Sequence, residues 1–173
     1  MSKWPISKEN QKAVVKIVSG GQTGVDRAAL DWAMKRGFSY GGWCPKGRLA
    51  EDGVLDGRYV LRETESKGYR QRTRQNVIDS DGTLILNTGV LSDGSLTTQR
   101  IANRFGKPCM VIQLDGEAES EDVERVMDWV QTHGIAVLNF AGPRESKRPG
   151  IYCLTLAFLN QLATVQRDAN TTA

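Results

Sequence analysis

The sequence predicts an α/β protein, a parallel sheet with crossover helices, and three observations carry that expectation. Short β-branched apolar runs, such as VVKIV at 14–18, TLILN at 83–87 and AVLNF at 136–140, alternate with longer segments of helical period. The densest Gly, Ser and Asp clusters follow strands, at GGQTG, NTGVLSDGS and AGPRES. With 173 residues, 39% of them hydrophobic, the chain suits one domain with a core of its own.

The elements follow in order. Residues 1–13 read as a polar leader, and Val14 to Val18 as the first strand. Val25 to Arg36 places Val25, Ala28, Ala29, Trp32 and Ala33 at helical spacing, with Gly37 positioned to end the helix. A weak strand near Ser39 to Trp43 leads into a long glycine-rich loop, PKGRLAEDGVLDGRY, whose length points to function and whose Lys46 and Arg48 are candidates to close over a ligand. Tyr59 to Arg62 reads as a short edge strand, 69–79 as a helix, and Thr83 to Asn87 as a fully buried strand. A helix at Leu96 to Phe105, a strand at Met110 to Leu114, a helix at Glu121 to Thr132 and a last strand at Ala136 to Phe140 come next. The closing helix runs from Ile151 to Val165, so the domain spans 14–165, and 166–173 reads as a frayed tail.

Composition narrows the partners. A net charge of +3, with basic and acidic residues interspersed, gives no ground for a nucleic acid partner. Three cysteines without a CxxC and a single histidine, His133, make a zinc site unexpected, and His133 reads as a helix C-terminal partner. Of the thiols, Cys44 is expected to be exposed, and Cys109 and Cys153 buried. No apolar run reaches a membrane span, and the leader does not resemble a signal peptide, so a cytoplasmic protein with reduced thiols is expected.

Three loops carry the candidate site. In an open parallel sheet, ligands sit beyond the carboxyl ends of the strands, and all three clusters are expected at that one edge. Gly20, Gly21 and Gly24 form a GGxxG turn that brings backbone N–H groups toward an anion at a helix N-terminus, or serves only as a tight strand-to-helix turn. Ser19 stands where a dinucleotide fingerprint needs glycine, and no GK[ST] follows. Gln22, Thr23 and Arg27 belong to the same turn, with Asp26 expected to cap the helix or neutralise Arg27. The second loop adds Asn87, Thr88, Gly89, Ser92, Asp93, Gly94, Ser95, Thr97 and Thr98 as hydroxyl and backbone donors, or as a capped loop in which Ser95 or Asp93 is only the N-cap. The third adds Arg144, suited to bidentate grip of a phosphate, with Glu145, Ser146 and Lys147, where Ser146 caps the final helix or touches ligand, or the stretch is only a solvated charge run. On the helix at 69–79, Arg72, Thr73 and Asn76 share a face, which makes Arg72 a further anion ligand if it points at the sheet edge and is otherwise a solvated face. No general acid or base is fixed by a motif.

The stretches IVSGGQTGVDRAALD (17–31), GGWCPKGRLAEDG (41–53), YRQRTRQNVIDSDGTLILN (69–87) and NFAGPRES (139–146) together resemble the molybdenum cofactor carrier proteins, a group related to the lysine-decarboxylase-like LOG phosphoribohydrolases. The resemblance implies a homo-oligomeric, three-layer Rossmann-like, doubly wound domain with helices on both faces. It also implies a ligand that is the molybdenum cofactor (molybdopterin) or a nucleotide-like phosphorylated molecule, with Gly20, Gly21, Thr23 and Gly24 around the phosphate. In the LOG relatives the second loop reads PGGxGTxxE and supplies a hydrolytic glutamate. Here the matching stretch is SDGSLTTQR, without that carboxylate, which favours binding over N-glycosidic hydrolysis as the alternative.

Overall fold

The computed structural model describes residues 14–91, 93–115 and 120–171. The expected leader, Ser92 and the last two residues of the expected tail lie outside these. In chain order the elements are β1 (Lys16–Val18), α1 (Val25–Arg36), β2 (Ser39–Gly41), β3 (Trp43–Cys44), β4 (Leu49–Ala50), β5 (Gly53–Val54), β6 (Arg62–Glu63), α2 (Tyr69–Ile78), β7 (Gly82–Asn87), α3 (Asp93–Arg104), β8 (Cys109–Gln113), α4 (Ser120–Thr132), β9 (Val137–Ala141) and α5 (Ile151–Thr171).

Five strands form one parallel sheet in the order β2-β1-β9-β7-β8. The step from β1 to β2 through α1 and the step from β7 to β8 through α3 run in opposite directions, so right-handed crossovers place α1 and α3 on opposite faces. The contacts agree, since α5 packs on both α1 and α4, and α2 packs on α3. The expected three-layer, doubly wound architecture is therefore present. Counted with β9 as the first strand, the order becomes 3-2-1-4-5, that of a doubly wound nucleotide-binding sheet whose chain has been opened elsewhere. Its switch point lies between β9 and β7, where the loops after both strands open.

The main core forms between the sheet and the α1–α4–α5 layer, where Ile17, Leu84, Leu138 and Phe140 meet Val25, Trp32, Val126 and Phe158. Strand β7 is buried at every position, which is why its sequence is apolar without alternation. Helix α1 ends as expected at Gly37, whose φ of 72° lets its N–H reach back to the last turn. His133 follows α4, and its Nδ1 lies 2.9 Å from the Trp129 carbonyl.

The long loop departs from expectation. It holds a small antiparallel pair, β4 with β5, and the edge strand falls at β6, paired in parallel with β3. Arg48 turns inward, donating to the carbonyls of Leu55, Asp56, Tyr59 and Leu61, so it braces the loop and does not reach over a ligand. Leu30, Cys44, Leu55, Tyr59 and Leu61 make a second apolar cluster beneath it. The cysteines are reversed from the expected order. Cys44 is buried under this loop, which raises its pKa, while Cys153 is exposed on α5. Cys109 is half-buried at the sheet edge, and burial pushes its pKa up to about 11.

Candidate functional site

The glycines of the first loop are filled by the protein's own atoms. A Cβ on Gly20 would sit 1.6 Å from Nη1 of Arg72, so this position is open because a guanidinium lies across it. That guanidinium donates to Asp26 Oδ2 at 2.7 Å, in a pair whose side chains are 14% and 4% exposed. Asp26 therefore neutralises Arg72, and not Arg27 as expected. Arg27 instead forks onto Asp52 at 2.9 and 3.0 Å and onto the Gly21 carbonyl. Gly21 packs against Leu55 and Leu61, and Gly24, at φ 75°, sits under the Pro143 carbonyl. Asn76 joins Arg72 on the inner side of α2 but bonds both the N–H and the carbonyl of Trp43.

Glu51, from the long loop, ties the other loops together. Its carboxylate accepts from the Thr23 hydroxyl and from the hydroxyl and N–H of Ser146, and it pairs with Arg144 Nε at 3.3 Å. Its own N–H donates to Gln22 Oε1 at 2.9 Å. Burial works to raise its pKa, but the Ser146 and Thr23 donors and the neighbouring Arg144 outweigh burial and hold it below the ordinary carboxylate value. A carboxylate whose pKa falls on folding stabilises the fold above its unfolded pKa and loses that contribution as pH drops through the folded one. The Glu51→Gln variant is thus expected to be less stable by about 1–2 kcal/mol at neutral pH. Urea titrations should show that difference shrinking below roughly pH 4.

The second and third loops are joined as well. Asn87 donates to the carbonyls of Thr88 and Gly89, and the Gly89 N–H reaches Asp115. Arg148 bonds the Thr88 carbonyl at 3.0 Å. Glu145 caps α5, accepting from the N–H groups of Gly150 and Tyr152.

Beside these loops lies a cavity of about 730 Å³, opening at the switch point between β9 and β7. Such a volume falls within the range of small-molecule sites, roughly 300–1,000 Å³. Of the expected site residues, Gln22, Arg72, Gly94, Ser95, Thr97 and Arg144 line it. Gly20, Gly21, Thr23, Gly24 and Arg27 are not among the lining residues, nor are Asn87, Thr88, Gly89 and Ser146. The lining carries six arginines and Lys147 against two carboxylates, Asp26 and Asp93. Sequence reasoning missed Arg70, Arg100, Arg104 and Arg148. The spacing of four between Arg100 and Arg104, on a helix that starts at the site edge, is the signal that could have found them.

Fold and site together define a doubly wound α/β protein with a cationic cavity at its switch point. Over residues 17–163 the chain matches the model described as the circularly permutated YpsA SLOG family, and it belongs to that family. The permuted strand order seen in the sheet agrees with that description. The chain is also similar to a solved structure from Syntrophus aciditrophicus SB, named "Putative molybdenum carrier protein". They are 47% identical, with a TM-score of 0.84, over 89% of this chain and 98% of that one. The resemblance read from the sequence is thereby supported in both respects. No curated protein matches the chain. Among the described residues no helix is long and apolar enough to cross a membrane.

Proposed function

We propose that this protein binds and carries an anionic, phosphorylated small molecule in the switch-point cavity, and that the ligand is a phosphorylated pterin, the molybdenum cofactor. The observation that carries this reading is the excess of seven cations over two carboxylates around one cavity of suitable size. The name of the Syntrophus protein supports the choice of ligand. Among the described residues no group of three or more His, Cys, Asp or Glu could hold a metal ion. None is required, because in that cofactor the pterin's own sulfurs hold the metal and the protein grips pterin and phosphate.

Binding without turnover is favoured by how the lining carboxylates are used. Asp26 is paired with Arg72 and Asp93 lies 3.7 Å from Lys147, so each faces a cation where a general base would face substrate. As a carrier the protein works in the cytoplasm as a homo-oligomer.

The test is mass spectrometry of small molecules released from freshly purified protein, with a parallel incubation against nucleoside monophosphates assayed for free base. A released phosphorylated pterin and no free base is the expected outcome. Release of free base would replace the carrier with a LOG-like hydrolase, and a retained nucleotide without pterin would remove the molybdenum cofactor from the reading.

A further inference from the structure

The charge in the cavity is unevenly compensated. At the sheet edge each cation already has a partner. Arg72 holds Asp26, Arg144 holds Glu51, and Lys147 faces Asp93. Arg148 donates to the carbonyls of Lys147, Thr88 and Val90. On the helical wall the position is different. Arg70, in the first turn of α2, and Arg100 and Arg104, one turn apart on α3, all line the cavity and are exposed. None of the three forms an ion pair with a described residue. Like charges four apart on a helix repel, and α3 packs directly on α2, so this wall holds unrelieved positive charge. Toward the strand ends the lining is uncharged at Ser95, Ala141, Gly142 and Pro143.

We infer that the ligand of this cavity is charged at one end, with a diphosphate group seated against Arg70, Arg100 and Arg104 and an uncharged ring directed to the sheet edge beside Ser95, Gly142 and Pro143. This rests on the cavity being an anion site, as proposed above, and narrows the phosphorylated pterin to a diphosphate form, with molybdopterin, a monoester, held in the same cavity more weakly. Three guanidinium groups match a diphosphate better than a monoester, which carries about −1.5 to −2 at neutral pH. It also relocates the charged end of the ligand. The GGQTG turn is filled by Arg72, Leu55 and Leu61, whereas the α2–α3 wall offers guanidinium donors that have no ion-pair partner among the described residues.

The test is calorimetric titration of the full chain with inorganic pyrophosphate and, separately, orthophosphate. Pyrophosphate is expected to bind at least about tenfold more tightly, with a loss of about tenfold for each of Arg70→Ala, Arg100→Ala and Arg104→Ala. The triple alanine variant is expected to show no saturable binding, the triple lysine variant a partial recovery, and Arg125→Ala, an exposed arginine on α4 away from the cavity, a change under about threefold. All three side chains are exposed, and circular dichroism of the triple variants checks their folding. Equal affinity for the two anions, no pyrophosphate binding by the unmodified protein, or unchanged binding by a folded triple alanine variant would each overturn the inference. Titration with a phosphorylated pterin separates the two levels. A pterin bound equally by the unmodified protein and the triple alanine variant leaves the carrier reading standing and removes the wall. Pyrophosphate binding that the wall variants abolish, with no pterin binding, does the reverse.

Discussion

Replacing Arg72 with leucine is expected to destabilise the protein by about 3–5 kcal/mol, because it strands a buried carboxylate. Asp26 is 3% exposed and has two polar contacts, the Arg72 guanidinium at 2.7 Å and the Gln22 N–H at 3.3 Å. Removal of the guanidinium leaves the second, weaker contact to hold a charge that is almost fully buried. For a chain of this size the melting temperature should fall by roughly 10 °C, since each kcal/mol is worth about 2–4 °C. The companion variant Asp26→Leu/Arg72→Leu removes both charges and is expected to recover much of the loss, as apolar replacements of buried pairs commonly do. Denaturant midpoints for the two single variants and the double variant form a cycle that isolates the pair. If Arg72→Leu alone left the midpoint unchanged, Asp26 would have to be hydrated, and the packing of the first loop described above would be wrong.

The second large effect is expected at Gly142, in the loop after β9. Its Cα faces a backbone carbonyl and a stiff β-branched side chain, and a Cβ there would lie 2.3 Å from the Leu86 carbonyl oxygen and 2.4 Å from Val25 Cγ2. Neither neighbour can yield cheaply. Leu86 belongs to the buried central strand β7, and Val25 begins α1. Gly142→Ala should therefore cost about 3 kcal/mol, at the upper end of ordinary overpacking. The same displacement pushes Pro143 and Arg144 into the cavity they line, where the ligand's ring is placed, so affinity for a phosphorylated pterin should fall even where the variant remains folded. Thermal denaturation and calorimetry on the same preparation measure the two effects together. A variant with unchanged stability would contradict the close approach of β9 to β7 at the site.

Much of this was legible in the sequence because the signals were local. The apolar runs at 83–87 and 136–140 cannot be exposed, and the helical spacing through Trp32 ends at a glycine suited to a left-handed cap. Gathering of the three loops at one edge follows from the parallel sheet alone, which is why Ser95, Thr97 and Arg144 share the cavity with Arg72. Strand order was not legible, since nothing local says that β9 inserts between β1 and β7. The purpose of the glycines was hidden for the same reason. GGQTG has the composition of an anion loop, but what lies over Gly20 is a side chain from 52 residues further on, at Arg72. Cys44 failed similarly. A cysteine before proline in a polar loop looked exposed, and only the fold of that loop over Leu30 and Tyr59 buries it.

The central claim is that a phosphorylated ligand occupies the switch-point cavity, and one substitution reaches it without disturbing the fold. Gly94 lines the cavity, and a Cβ placed on it meets nothing within 4 Å. Gly94→Trp should therefore set an indole into the cavity at no backbone cost and obstruct the ligand, while Arg72, Glu51 and the core remain as they are. Anaerobic equilibrium titration with molybdopterin should give saturable binding to the unmodified protein and none to folded Gly94→Trp. Equal binding to both would place the ligand elsewhere and contradict the account.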